Sequence, residues 1–227
     1  FEAGGRRFLQ AKRILDQRIG SERGVMSVDA VIFDLGKVLL DFDLEKCFSV
    51  LSRSTGVSAD RVRSAMFSEK MVEFERGVLS PEQFFEHVSI QIDGAADGPT
   101  IREAFDDIFT AMNENIRLAE MLSQRVPVGL VSNTNQSHSS FVEKNYKFFH
   151  IFKAKIYSHE HALRKPEPDI YHRAIDLLGV PAERTLFIDD LEKNIEGARA
   201  IGMAVVHLPP GKPLLPELQA AGVQGIA

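Results

Sequence analysis

Apolar residues along this chain fall into two kinds of run. Short, nearly unbroken runs at 28–35, 126–131, 154–157, 185–188 and 204–207 predict buried strands. The first reads Val28-Asp-Ala-Val-Ile-Phe-Asp34-Leu and ends in an aspartate followed by Gly36. Between the first and second runs the period changes to that of helices, from about residue 44 to 124. Helix starts are written at Ser58 and, more fully, at Ser80-Pro-Glu-Gln83, which places Ser at the N-cap, Pro in the first turn and Gln at the capping-box position. Phe84, Phe85, Val88 and Ile92 then share one face. A Gly- and Ala-rich loop is expected at 93–99, with further helices from about 100 and over 115–124. Beyond residue 125 strands alternate with helices at 134–146, 168–178 and 191–201, the last two stopped by Gly179 and Gly202.

Alternation of this kind predicts an α/β fold with a doubly wound parallel sheet. The helical block after the first strand predicts an inserted helical cap. The expected division is a core made of 26–42 and 125–227, a cap over 43–124, and an N-terminal extension over 1–25. That extension is basic, with Phe8, Leu9, Ile14, Leu15 and Ile19 near helical spacing, and has no apolar block of the secretory kind. In open parallel sheets ligands bind beyond the carboxyl ends of the strands. Asp34, Ser132 and the pair Asp189-Asp190 all follow predicted strands, so three polar sites are expected on one edge.

Composition narrows the partners. Apolar residues make up 44% of 227 residues, enough for a buried core, and the formal charge is -5. A mildly acidic chain offers no electrostatic footprint for nucleic acid. No run approaches the roughly 18 apolar residues of a membrane helix. The single cysteine, Cys47, supports neither an internal disulfide nor a thiolate zinc site, and reads as a core residue in a reducing, cytoplasmic setting. The expected partner is a small metabolite, bound by a monomer or small homo-oligomer.

Four motifs stand in order: Asp34-Leu-Gly36-Lys-Val38, Val131-Ser132-Asn133-Thr134, Arg164-Lys165-Pro166, and Phe187-Ile-Asp189-Asp190 followed by Asn194-Ile-Glu-Gly197-Ala198. Together they resemble the haloacid dehalogenase superfamily of phosphohydrolases over about residues 28–210. The likeness is greatest to the branch that contains bacterial α-D-glucose-1-phosphate phosphatase and the phosphatase domain of soluble epoxide hydrolases. The resemblance implies a Rossmann-like core and a nucleophilic Asp34 that forms an aspartyl phosphate. It implies Mg²⁺ held by Asp34, Asp190 and the Gly36 carbonyl, with Asp189 and Asn194 in support. It further implies phosphate binding by Ser132, the Asn133 N–H and Lys165, and a small phosphorylated metabolite, such as glucose 1-phosphate, as substrate. The residue types suit this chemistry. Three carboxylates in one crevice raise one another's pKa unless a cation intervenes, and an all-oxygen site suits Mg²⁺.

One position departs from the superfamily pattern. Where most of its phosphatases carry an acid two residues after the nucleophile, this chain has Gly36. Either the leaving group is a comparatively good one, or another acid serves. Asp41, Asp43, Glu75 and Arg76 are the candidates, against plain readings as a helix start and a surface turn. The competing activities are a 2-haloacid dehalogenase, against which the Asp189-Asp190 pair argues, a sugar phosphomutase, which needs the acid missing at Gly36, and a silent binding protein on the same scaffold. The Phe-rich helical block, with Phe67, Phe74, Phe84, Phe85, Phe105 and Phe109, is expected to be core and not ligand pocket, and His138, His159, His161 and His172 are expected to be structural or surface residues.

Overall fold

The computed structural model describes residues 28–223. The expected N-terminal extension, 1–25, lies outside the described residues. Five strands form one parallel sheet: β1 (Ala30–Phe33), β4 (Val128–Ser132), β5 (Phe152–Tyr157), β6 (Thr185–Asp189) and β7 (Ala204–His207), in the order β5-β4-β1-β6-β7. The chain winds outward from β1 to β4 and β5, then returns to the other side of β1 for β6 and β7. This is the mostly parallel, Rossmann-type α/β architecture that the strand–helix alternation predicts.

The two-residue period of a strand sends alternate side chains to opposite faces. Val31 and Phe33 enter one core with Leu130, Leu186 and Ile188. Ala30 and Ile32 enter the other with Val131, Ile156 and Phe187. The second face is covered by two helices, here α9 (Pro168–Leu178) and α10 (Glu192–Ala200), through Tyr171, Ala174, Leu178, Ile195 and Ala198. Gly179 ends α9 in the left-handed conformation, as its position predicts.

Between β1 and β4 lies the insert. The chain leaves through β2 (Leu40–Phe42) and returns through β3 (Phe109–Ala111), which pair antiparallel as a two-stranded stem. Between them run α1 (Leu44–Thr55), α2 (Ala59–Met66), α3 (Glu69–Glu75), α4 (Pro81–Gln91) and α5 (Gly98–Asp106). Local signals set their starts. Ser58 accepts the Arg61 N–H, and Ser80 and Gln83 form the full capping box. Asp97 caps α5, so that helix begins inside the stretch expected to be loop. The insert has its own core, in which Phe48, Leu51, Val62, Phe74, Phe84, Phe85 and Phe105 are all buried with Cys47. Each such phenylalanine contributes roughly 1.5–3 kcal/mol by leaving water.

The insert's core ends at Ile108. Helix α6 (Asn113–Ser123), expected to close the cap, packs instead on the sheet, with Ile116, Leu118, Ala119 and Leu122 in the same core as Val31 and Leu130. The range 43–124 thus includes a helix that belongs by packing to the core. Helices α7 (Gln136–Asn145) and α11 (Leu214–Ala220) share that face, through Val142, Leu214 and Leu218. A four-residue helix, α8 (Ser158–His161), follows β5. Neither α3, α8 and α11 nor the stem was foreseen; three- to seven-residue elements carry too little period to register.

Candidate active site

Parallel strands all point their carboxyl ends the same way, so the residues just past β1, β4 and β6 meet on one edge. Asp34 follows β1, and its N–H donates to the Ile188 carbonyl of β6 at 2.9 Å. Ser132 and Asp189 are the last residues of β4 and β6, both buried. Lys165 reaches in from the loop before α9. The side chain of Asn133 fixes that loop. Its Nδ2 donates to the Lys165 carbonyl at 3.0 Å, and its Oδ1 accepts the Lys165 N–H at 2.8 Å. A Cβ at Gly197 would stand 2.8 Å from Pro166, so glycine there lets α10 approach the turn that carries Lys165.

The Lys165 ammonium lies 2.7 Å from Asp34 Oδ1 and 2.7 Å from Asp189 Oδ2, with all three groups buried. Asp189 is the anchor. Its oxygens also accept the Leu191 N–H at 2.9 Å and the Asn194 amide at 2.9 and 3.1 Å. Burial works against the Lys165 charge, but Asp34 and Asp189 outweigh it and raise its pKa. Burial pushes the Asp34 carboxyl up to about 8, aided by Asp189 and opposed by Lys165. Asp190 is likewise raised, by burial and then by Asp189.

One lysine faces three carboxyl groups, so all three can be ionised together only if a further cation joins them. Ligand oxygens of Asp34, Asp189 and Asp190 all lie within 4.8 Å of one another. Asn194 Oδ1 is buried beside them and has no hydrogen-bond partner among the described residues. An oxygen-only set with surplus negative charge and an unsatisfied oxygen fits a hard cation such as Mg²⁺.

These groups form one end of a cavity of about 430 Å³ that Asp34, Gly36, Ser132, Asn133, Lys165 and Asp190 line. The four sequence motifs are thus brought together. Of the substitute acids, the structure brings one to the cavity. Glu75, at the end of α3, lines it and pairs with Arg164, Nη2 to Oε2 2.6 Å. Burial raises its pKa, against the opposing charges of Arg164 and Lys193. Asp41 instead binds Lys37, and Asp43 caps α1. Arg76 turns away to Glu167 and the Ala162 carbonyl. A Cβ at Gly36 would sit 2.9 Å from Cε1 of Phe42, so an acid there would require that ring to shift.

The helical period predicts a core position for Phe67, Phe74, Phe84, Phe85, Phe105 and Phe109. Phe74, Phe84 and Phe85 are there, but Phe67, Phe105 and Phe109 also line the cavity. His138, read as structural, lines it as well, stacked on Phe105 with ring centroids 4.0 Å apart. Period alone cannot distinguish a phenylalanine that faces a core from one that faces a cleft.

Comparison with known proteins bears on the same region. A family model for haloacid dehalogenase-like hydrolases matches residues 28–202. A sesquiterpene phosphatase, astK, of Aspergillus oryzae is 25% identical over 181 residues, 79% of this chain and 89% of that one. The HAD family enzyme bt-2542 of Bacteroides thetaiotaomicron, solved with magnesium and inorganic phosphate, superposes with a TM-score of 0.73 at 24% identity, covering 82% of this chain and 97% of that one. An L-2-haloacid dehalogenase of Xanthobacter autotrophicus shares the fold at a TM-score of 0.59 and 18% identity, over 88% of this chain and 84% of that one. With a family match over most of its length and the four motifs on one sheet edge, the chain belongs to the haloacid dehalogenase-like hydrolases.

Proposed function

We propose that this hydrolase is a Mg²⁺-dependent phosphatase of small phosphomonoesters, with Asp34 as nucleophile. The observation that carries the reading is the cluster of Asp34, Asp189 and Asp190, bridged on one side by Lys165 and left with surplus negative charge on the other. The same cluster favours this reading over metal-free haloacid chemistry. Likeness to a phosphatase along 79% of the chain supports the reaction class.

Asp34, Asp190 and the Gly36 carbonyl would hold the cation, while Asp189 holds Lys165 and Asn194. When bound, the cation neutralises charge on the phosphoryl oxygens and keeps Asp34 ionised. Asp34 attacks phosphorus in line with the leaving oxygen and forms an aspartyl phosphate. Ser132 donates its hydroxyl to a phosphoryl oxygen, and Lys165 supplies a fixed positive charge beside it; such donors aimed at developing charge are worth roughly 3–4 kcal/mol each. Water then cleaves the intermediate. Glu75 stands in for the acid missing at Gly36. Among the described residues it is the one carboxyl group lining the cavity outside the aspartate cluster. The insert acts as the cap, excluding water during the step and admitting substrate when it moves.

The deciding experiment measures phosphate release from a panel of phosphomonoesters, with Mg²⁺ and with a chelator. Release is expected with metal alone, and Asp34→Asn is expected to reduce it by at least about 10³-fold. Metal-independent release, or full activity in Asp34→Asn, would refute the proposal.

A further inference from the structure

The cavity does not end at the aspartates. It continues toward the insert, and its 430 Å³ lies within the roughly 300–1,000 Å³ usual for small-molecule sites. Much of its remaining lining is apolar. Leu44, Phe67 and Met71 come from the insert, Phe42 and Phe109 from the stem, and Leu191 from the loop after β6. Phe67 is 50% exposed and Leu191 45% exposed. Small-molecule sites are typically concave and lined by apolar and aromatic side chains such as these.

Several polar side chains that line the cavity, His138, Asn135 and Lys37 among them, are engaged with the protein. Nε2 of His138 lies 2.9 Å from the Phe105 carbonyl, and Nδ1 lies 3.4 Å from the Asn135 amide. Asn135 Oδ1 accepts the His138 N–H. Lys37 pairs with Asp41 and the Phe42 carbonyl, and Glu75, held by Arg164, is the acid kept for the leaving oxygen. Sugar hydroxyls brought here would leave water and meet few free partners, which is unfavourable. An apolar group would gain from the same burial.

Geometry decides which part of the substrate meets this lining. In-line attack by Asp34 sets the leaving oxygen on the far side of phosphorus from Asp34. With phosphate held at the sheet edge, the alcohol points toward the insert. We infer that the substrate is the phosphomonoester of an apolar alcohol, whose alkyl, prenyl or aryl part lies against Leu44, Phe67, Met71 and Leu191. This rests on the phosphatase reading and names the alcohol within it. It departs from the sugar phosphate that the sequence resemblance implies.

The test pairs esters of similar leaving groups. Hexyl phosphate, geranyl phosphate and glucose 6-phosphate are all esters of primary alcohols, so they differ mainly in the polarity of what they bury. With Mg²⁺, the hexyl and geranyl esters are expected to exceed glucose 6-phosphate and glucose 1-phosphate in kcat/KM by about 10²-fold. Phe67→Ser is expected to lower kcat/KM for the two apolar esters by about 10-fold, mostly through KM. Sugar phosphates hydrolysed as well as hexyl phosphate would overturn the inference and leave the phosphatase reading standing. If no ester is hydrolysed, that reading falls, and calorimetric titration of Asp34→Asn with hexyl phosphate and with glucose 6-phosphate still judges the pocket. In that case the substrate inference falls with the reading, tighter hexyl binding supports only the pocket's preference for an apolar group, and equal or weaker binding rejects that preference as well.

Discussion

Lys165 Nζ lies 2.7 Å from Asp34 Oδ1, at 1% and 10% side-chain exposure, and the same ammonium meets Asp189 at 2.7 Å. The nucleophile is thus held by a cation that itself depends on a second carboxylate. Without Lys165, two buried carboxylates face one another. Lys165→Met is expected to destabilise the metal-free protein by about 3–5 kcal/mol, the range for a buried charge left without its partner. Because added Mg²⁺ supplies the missing positive charge, the rise in Tm between chelator and Mg²⁺ should be larger in Lys165→Met than in wild type. Thermal unfolding in both conditions checks this. An equal rise in both proteins would mean that metal and lysine do not compensate the same carboxylates.

At Gly36 the missing side chain is a matter of space as well as chemistry. A Cβ there would meet the Phe42 ring at 2.9 Å. Gly36→Ala is expected to cost about 1–3 kcal/mol, the usual range for overpacking. Phe42→Leu should recover much of that loss, because the clash is with the end of a ring and not with backbone. Urea denaturation of the two single variants and the double variant gives the coupling. Additive effects would show that the ring is not what excludes the side chain.

For Glu75 the pH dependence has a definite sign. A general acid must hold its proton when the leaving oxygen departs, so activity falls as pH rises through its pKa. Burial raises that pKa above the usual carboxylate value while Arg164 and Lys193 pull it down. The protonated form therefore persists to higher pH than an ordinary glutamate allows. Glu75→Gln is expected to lower kcat on alkyl phosphates by about 10²–10⁴-fold and to remove the corresponding alkaline decline. An aryl phosphate, whose leaving group needs no proton, should be hydrolysed nearly as before. Equal losses on both esters would assign Glu75 to holding the insert through Arg164, and not to proton transfer.

Much of the candidate site's arrangement was legible because its signals are local and the sheet is parallel. Once Asp34, Ser132 and Asp189 each follow an apolar run, the common direction of the strands puts them on one edge without any long-range information. Helix starts at Ser58 and Ser80 were legible for a similar reason, since a cap is closed within three or four residues of its own side chain. The role of Asn133 was not. Its side chain serves the Lys165 backbone, 32 residues onward, where the sequence motif suggested only a phosphate contact.

By itself, the sequence determined the strand–helix alternation, the polar residues at the strand ends, and the departure at Gly36. Each is a property of neighbouring residues or of period, and survives whatever the rest of the chain does. Only the tertiary structure decided what each apolar face packs against. An amphipathic pattern says that α6 has a face to bury, but not that the sheet and not the insert would cover it. It decided that Glu75, and not Asp41 or Asp43, reaches the cavity, because the direction of a side chain across a junction depends on how two units meet. It also decided that Phe67 and Leu191 stand at a cleft, since exposure depends on the absence of neighbours, which no local pattern encodes.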